Sequence, residues 1–404
     1  MVEHPRSLAI HNIDLLEDGR QIKDGLIVIE QGVIRFAGQR SECALEEHHV
    51  TLDGKGWFAA PGFIDLQLNG AYGVDFSSDP GRINEVAARL PESGVTAFLA
   101  TMITSPLDEY PDKLRAVMAA QAEAAEATTV HNPAARVLGA HLEGPFLNPE
   151  MPGAHQPELF IQPIVENLQK LNPLEVVRLM TLAVEMPGGM EAARWLQARG
   201  VMAAIGHSNA TAEQGLQAFS EGVGYVTHLF NAMLPLHHRQ PGLVGATLGS
   251  NPVRCGLIVD GIHLHPLVVK LVYQCLGAGR LTLVTDAMAA MGMPPGDYQI
   301  GGQAVRVTSS EARLQDGRLA GSVLRMDQAV RNMVAFSGCS LAGAVRMAAT
   351  TPAEVLGIDD RFGHLKSGYP ADIVLLDGSM QVQATIIGGN VLFAREWENK
   401  LTTC

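Results

Sequence analysis

The sequence predicts an α/β fold: a (β/α)8 TIM-like barrel joined to a small β-sandwich domain formed by both termini. Three observations lead there. Eight short apolar runs follow one another between Gly62 and Ala287, most with helix-forming material after them, which is the count a closed barrel requires. Both chain ends read instead as strands without helices. No glycine-rich phosphate loop follows the first run, as a doubly wound open sheet would more often show. The 404 residues accommodate a barrel of roughly 250 residues and one smaller unit. The expected division is a β domain from residues 1–60 and 356–404, with the barrel over 61–355.

Taken in order, LIVIE (26–30) and VIRFAG (33–38) are separated by Gln31-Gly32, a pair suited to a tight hairpin turn. From Pro61 the texture changes to strand then helix. GFIDLQLNG (62–70) and VTAFLATMIT (95–104) are the first two barrel strands, and residues 106–127 contain an Ala-rich helix. VLGAHLEGPF (137–146) holds the third strand and RLMTLAVEM (178–186) the fourth. The helix in GGMEAARWLQARG (188–200) closes on Gly200 as a C-cap. VMAAIGHSNAT (201–211) holds the fifth strand, and Thr211 with Gln214 makes a capping-box pattern for the helix that follows. YVTHLFN (225–231), CGLIVDGIH (255–263) and LTLVTDA (281–287) complete the eight. TTPAEVLG (350–357) reads as a helix linking barrel to β domain. ADIVLLD (371–377) and ATIIGGNVLFARE (384–396), bent at Gly388-Gly389-Asn390, read as strands.

Composition narrows the function classes. A formal net charge of −13 argues against a nucleic-acid or anionic-membrane surface, so an anionic substrate must be met by a local pocket. The five cysteines (Cys43, Cys255, Cys275, Cys339, Cys404) are scattered without a CxxC pair, poor material for disulfides or a thiolate metal site. The start, MVEHPRSLAIHN, lacks a basic segment followed by a long apolar one, and no run reaches about 18 uninterrupted apolar residues. A soluble, cytoplasmic protein is expected.

Four of the apolar runs stop at a residue able to hold or work beside a metal ion: Glu143, His207, His228 and Asp286. Singly, each has a plain structural explanation as a turn, cap or core residue. Together they occupy the same position relative to their strands, and a barrel brings those positions to one rim. Two imidazoles and a carboxylate suit a catalytic zinc, and a separate aspartate beside it suits proton transfer.

The motifs HLEGPFLNPEMPGAHQPELF (141–160), GHSNAT (206–211), THLFNAM (227–233), HRQPGLVG (238–245), DGIHLHP (260–266), VTDAM (284–288) and LAGSVLRMDQAVRNMV (319–334) resemble the blocks of the N-acetylglucosamine-6-phosphate deacetylases, within the amidohydrolase superfamily. The resemblance runs from PGFIDLQLNG to GHLKSGYPADIVLLD, most of the chain. It implies one divalent metal ion per subunit on Glu143, His207 and His228. Zinc is the expected ion, and Fe2+, Co2+ or Mn2+ suit the same ligands. Asp286 is implied as general base and then acid, with His155 polarising the acetyl carbonyl and His263 contacting the sugar. Asn231 and Ala232, with Arg239 from the neighbouring subunit, are implied at the 6-phosphate, which makes a homodimer the expected assembly.

Many superfamily members carry His-x-His at the end of the first strand, where this chain has Gln67-Leu68-Asn69. Amides are poor replacements for imidazole, so a single metal is expected, with Gln67 and Asn69 near its water or in the vacated half-site. A weak second site using Glu143 stays open. His237 and His238 have no assigned role, though either could touch phosphate. Met288, Met291 and Met293 read as adaptable packing. The rival readings are the same reaction on N-acetylgalactosamine 6-phosphate, another amidohydrolase reaction, or an inactive barrel serving as an interaction protein.

Overall fold

A computed structural model of the chain describes residues 7–44, 50–130, 134–251, 253–395 and 401–403. Cys404 and the last residue of the expected 384–396 strand lie outside them. The chain opens with β1 (Ser7–Glu17), β2 (Arg20–Glu30) and β3 (Val33–Gln39), paired antiparallel in sequence order. Gln31 and Gly32 turn β2 into β3 with φ of 50° and 79°, the left-handed pair that a two-residue hairpin of this twist needs. β4 (Val50–Asp53) and β5 (Phe58–Pro61) both pair in parallel with β1, along its first and second parts respectively.

The barrel begins at β6 (Phe63–Leu68), followed by the short ladder of β7 (Gly70–Ala71) with β8 (Val74–Asp75) and by α1 (Ile83–Ala87). β9 (Val95–Ile103) leads to α2 (Tyr110–Val130), and β10 (Arg136–Glu143) to α3 (Val165–Leu168). β11 (Val177–Leu182) precedes α4 (Gly189–Gln197), and β12 (Met202–Ile205) precedes α5 (Ala212–Ser220). β13 (Tyr225–Val226) with α6 (Gly242–Gly249), β14 (Arg254–Leu257) with α7 (Pro266–Leu276), and β15 (Leu281–Leu283) complete the set. The expected capping box is present: Thr211 accepts from the Gln214 N–H, and Gln214 reaches back to the Thr211 N–H.

These eight strands run parallel in sequence order from β6 to β15. Closure is made just beyond the last strand, where the Asn69 N–H donates to the Ala287 carbonyl and the Asp286 N–H to the Gln67 carbonyl, both at 2.8 Å. Several strands are shorter than the apolar runs suggested, β13 having two residues. The reason lies in the functional side chains. His207, His228 and Asp286 have φ of 47°, 29° and 48°, and a left-handed backbone cannot stay in a ladder, so each chain segment leaves the sheet there.

The interior of the barrel is partly polar. His141 Nε2 meets Thr181 Oγ1 at 2.8 Å, Thr181 meets Thr227 at 2.7 Å, and the Tyr225 hydroxyl meets Thr282 at 2.6 Å. Burial pushes His141 down to about 4, so its ring sits neutral within this layer.

After β15 comes an antiparallel sheet of β16 (Gly296–Ile300), β17 (Gln303–Val307) and β18 (Ala312–Leu314), which the sequence reading did not foresee. Met288 is buried beside it and Met291 in the barrel core, whereas Met293 is exposed. α8 (Met326–Ser337), α9 (Leu341–Ala348) and α10 (Thr350–Leu356) follow. β19 (Ile373–Leu376) then pairs with β5, β20 (Val382–Ile387) and β21 (Asn390–Ala394) extend that side, and β22 (Leu401–Thr403) pairs with β4. The two chain ends thus share one nine-stranded sheet that forks at β1. Leu8 and Ile10 of β1, Leu52 of β4, Ile373 of β19 and Ile386 of β20 meet in one apolar core, so strands from both arms of the fork enclose it.

Candidate active site

Glu143 ends β10, while His207 and His228 stand two residues beyond β12 and β13; their side chains converge at the barrel rim. Glu143 Oε1 lies 2.8 Å from His228 Nε2 and 3.2 Å from His207 Nε2, and the two Nε2 atoms are 3.2 Å apart. All three residues are buried. His207 Nδ1 donates to the Met151 carbonyl at 2.9 Å, which leaves the Nε2 lone pair facing the centre. An anionic oxygen and nitrogen lone pairs directed at one point repel each other unless a cation lies among them, so the donor set fits a divalent metal ion. Burial opposes ionisation of Glu143, but the two histidines beside it, His207 and His228, together hold the carboxyl well below its ordinary range.

Asp286 completes the group. Burial and the Glu143 charge push its pKa up to about 6, and Asn69 Nδ2 donates to its Oδ1 at 2.8 Å. Gln67 Nε2 donates to Glu143 Oε1 at 3.0 Å, so the two amides of β6 and its exit hold one carboxylate each. Asn69 Oδ1 and His228 Nδ1 are buried without a partner among the described residues.

His155 reaches the same centre from the loop after β10, its Nε2 3.8 Å from Glu143 Oε2. The Thr104 backbone N–H points at His155 Nδ1 at 3.3 Å. A backbone N–H can only donate, so Nδ1 accepts and the proton of the neutral ring sits on Nε2, on the Glu143 side. Burial keeps the ring neutral by lowering its pKa well below the histidine range. His263 Nδ1 contacts Asp260 Oδ2 at 2.6 Å. Burial works against the Asp260 charge, but His263 and the backbone N–H groups of Ile262 and His263 together outweigh it and lower the carboxyl pKa.

A cavity of about 250 Å3 lies over these groups, lined by Asn69, Glu143, His155, His207, His228 and Asp286, and also by Asn231, Ala232 and His263. Arg239 is not part of that lining. It stands in the exposed stretch 234–240 with His237 and His238, whose rings are 4.3 Å apart.

Five further residues bear on the site without having been singled out in the sequence. Thr285 Oγ1 donates to Asp65 Oδ2 at 2.5 Å, and burial raises Asp65 to about 7. The alternation Asp65, Gln67, Asn69 along one apolar strand was a readable sign of this. Thr104, Met151 and Arg318, the last lining the cavity, carried no such pattern.

Residues 58–392 match the Amidohydrolase family. The chain belongs to that family. It is 40% identical over 344 residues to an N-acetylglucosamine-6-phosphate deacetylase of Lysinibacillus sphaericus, covering 84% of this chain and 87% of that one. It is 39% identical over 334 residues to an N-acetylgalactosamine-6-phosphate deacetylase of Escherichia coli O157:H7, covering 82% and 86%. The solved N-acetylglucosamine-6-phosphate deacetylase of Pasteurella multocida superposes with a TM-score of 0.88 at 30% identity, over 96% of this chain and 100% of that one. The family resemblance read from the motifs therefore holds along nearly the whole length. Among the described residues no helix is long and apolar enough to cross a membrane.

Proposed function

We propose that the protein is a metal-dependent deacetylase that hydrolyses N-acetyl-D-glucosamine 6-phosphate to D-glucosamine 6-phosphate and acetate, a step of amino-sugar catabolism. The observation that carries this reading is the convergence of Glu143, His207 and His228 with Asp286 in one cavity of an amidohydrolase chain. One ion per chain, zinc first among the candidates, would be held by those three side chains; when bound it polarises the amide and lowers the pKa of water.

The remaining steps fall to the chain's own groups. Asp286 accepts a proton from the attacking water as the new C–O bond forms. It returns that proton to the sugar nitrogen as the C–N bond breaks, so that a neutral amine leaves. His155 Nε2–H donates to the acetyl oxygen where negative charge develops, which a neutral ring can do without first losing a proton. Asn69 keeps Asp286 oriented and Gln67 does the same for Glu143. His263, fixed by Asp260, is assigned to the sugar hydroxyls.

Asn231 and Ala232 are assigned to the 6-phosphate together with Arg239 of a second subunit, because within one chain Arg239 does not line the cavity. A dimer is supported by its surroundings. Leu234 and Leu236, on the same stretch, are 42% and 50% exposed, and Leu216, Leu267 and Leu271 on the nearby α5 and α7 are exposed as well. The barrel of 61–355 would be the catalytic unit, with 1–60 and 356–404 its supporting β domain. The free, scattered cysteines support a reducing, cytoplasmic setting.

The test measures metal content of the purified protein and acetate released from both 6-phosphorylated N-acetyl amino sugars. One equivalent of divalent metal and faster turnover of the glucosamine epimer are expected. The Escherichia coli relative keeps the galactosamine epimer as a second reading. Release from neither sugar would reject both.

A further inference from the structure

The sheet β16–β18 reaches across the mouth of the barrel and grips the loop that carries His155. Gln303 Nε2 donates to the Ala154 carbonyl, and an Arg318 guanidinium nitrogen donates to the Gly153 carbonyl. From the other side, Gln156 Nε2 donates to the Gly301 carbonyl at 3.0 Å. The residues flanking His155 in sequence are therefore tied to this sheet on both sides, while Thr104 holds the ring itself.

The sheet is in turn anchored next to Asp286. Ile300, Val305, Leu314 and Ala320 form one apolar cluster with Ile103 and Met288, and Ala154 packs against it. The Ser322 N–H donates to the Asp286 carbonyl at 2.8 Å and the Met288 N–H to the Ser322 carbonyl at 3.0 Å. One unit thus touches both the segment of the proposed base and the loop of the proposed carbonyl donor. Gly153, with φ of 54°, lies in a stretch without ladder partners, where a loop left to itself would sample many conformations. Arg318 is also bound to Asp316, Nε to Oδ2 at 2.7 Å, so its charge is already matched and its bond to Gly153 acts as a tether.

We propose that Gln303 and Arg318 are positioning residues: by tethering the Ala154 and Gly153 carbonyls they set His155 at the distance from Glu143 and Asp286 that the deacetylation needs. The proposal rests on the reading of His155 as donor to the acetyl oxygen. The metal ligands hang from β10, β12 and β13 rather than from this loop, so releasing the tether acts first on the position of the donor, and metal content reports whether the Met151 contact to His207 is disturbed as well. A shift of that kind costs on the order of 10–100-fold in turnover.

A double-mutant cycle on the metal-loaded protein tests this. Gln303→Ala combined with Arg318→Ala is measured in the native background and in a His155→Ala background, with metal content and thermal midpoint recorded for each. The expected result is a kcat lower by roughly 10-fold or more with KM within about 2-fold in the native background, and less than about 2-fold further loss once His155 is alanine. Arg318→Lys, which keeps a donor for Gly153, should recover most of the turnover and serves where the double variant folds poorly. Equal losses in the two backgrounds overturn the tether, as does a raised KM with kcat retained, which would make Arg318 a substrate contact. A silent His155→Ala variant instead sinks the reading of His155 on which the tether depends.

Discussion

Two amides stand at the end of β6, and each is bonded to a carboxylate: Gln67 to Glu143 and Asn69 to Asp286. The sequence alone placed these amides near a metal-side water or in an empty half-site; their partners came from the fold. Asp286 is the residue on which turnover should depend most steeply. Asp286→Asn keeps the shape and the metal ligands, so metal content should stay near one equivalent while kcat falls by about 100-fold to 10,000-fold. Loss of metal in that variant, read by elemental analysis, would make Asp286 a ligand. The group must be ionised to accept a proton. Burial and Glu143 raise its pKa to about 6 without a cation, and a neighbouring cation lowers it, so kcat/KM should fall as pH drops through a midpoint at or below about 6. A rate that rises toward acid would contradict the assignment.

At the scale of elements, the short apolar runs were legible because buried parallel strands need uninterrupted hydrophobic residues. Their ends were not, since whether His228 continues β13 or turns left-handed depends on what the side chain meets across the barrel. Helix signals are local and survived better. Thr211 and Gln214 close the start of α5 through bonds that span three residues, so Thr211→Ala should lower unfolding stability by about 1 kcal/mol. Chemical denaturation checks this, and a variant as stable as the parent would show the cap to be idle. The sheet β16–β18 escaped notice because residues 288–318 mix methionines, glycines and charges without a sustained period. Its role as a roof over the cavity exists only through its contacts with the 153–156 loop.

Across the whole molecule, barrel and terminal sheet are joined by side chains distant in sequence. Arg136, at the start of β10, makes two bonds of 3.1 Å to Asp372 just before β19, and the Gly388 N–H donates to the same carboxylate at 2.7 Å. Asp372→Ala strands a largely covered guanidinium and should cost roughly 3 kcal/mol, visible as a lower denaturation midpoint with the metal site intact. Undiminished stability would show that the two units hold together without this pair. The proposed assembly makes a separate prediction. Arg239→Ala should lower kcat/KM for the 6-phosphorylated sugar by about 10–100-fold, as expected for a lost charge-assisted contact, and leave an unphosphorylated analogue nearly unaffected. Equal losses on both substrates would refute a phosphate role. Leu236→Asp should shift the sedimenting species from dimer to monomer and reproduce the Arg239→Ala substrate profile; a protein that is monomeric from the outset would reject the shared site.

What the sequence by itself determined was the family, through the resemblance of its motif blocks, and the barrel with four candidate rim groups, because strand periodicity and residue chemistry are written locally. Tertiary structure alone decided that Glu143, His207 and His228 meet within hydrogen-bonding distance, that His155 carries its proton on Nε2, and that the site is roofed by β16–β18. Those outcomes depend on distances between residues tens to hundreds of positions apart along the chain. No local pattern encodes such separations; they arise when the closed barrel brings the segments together.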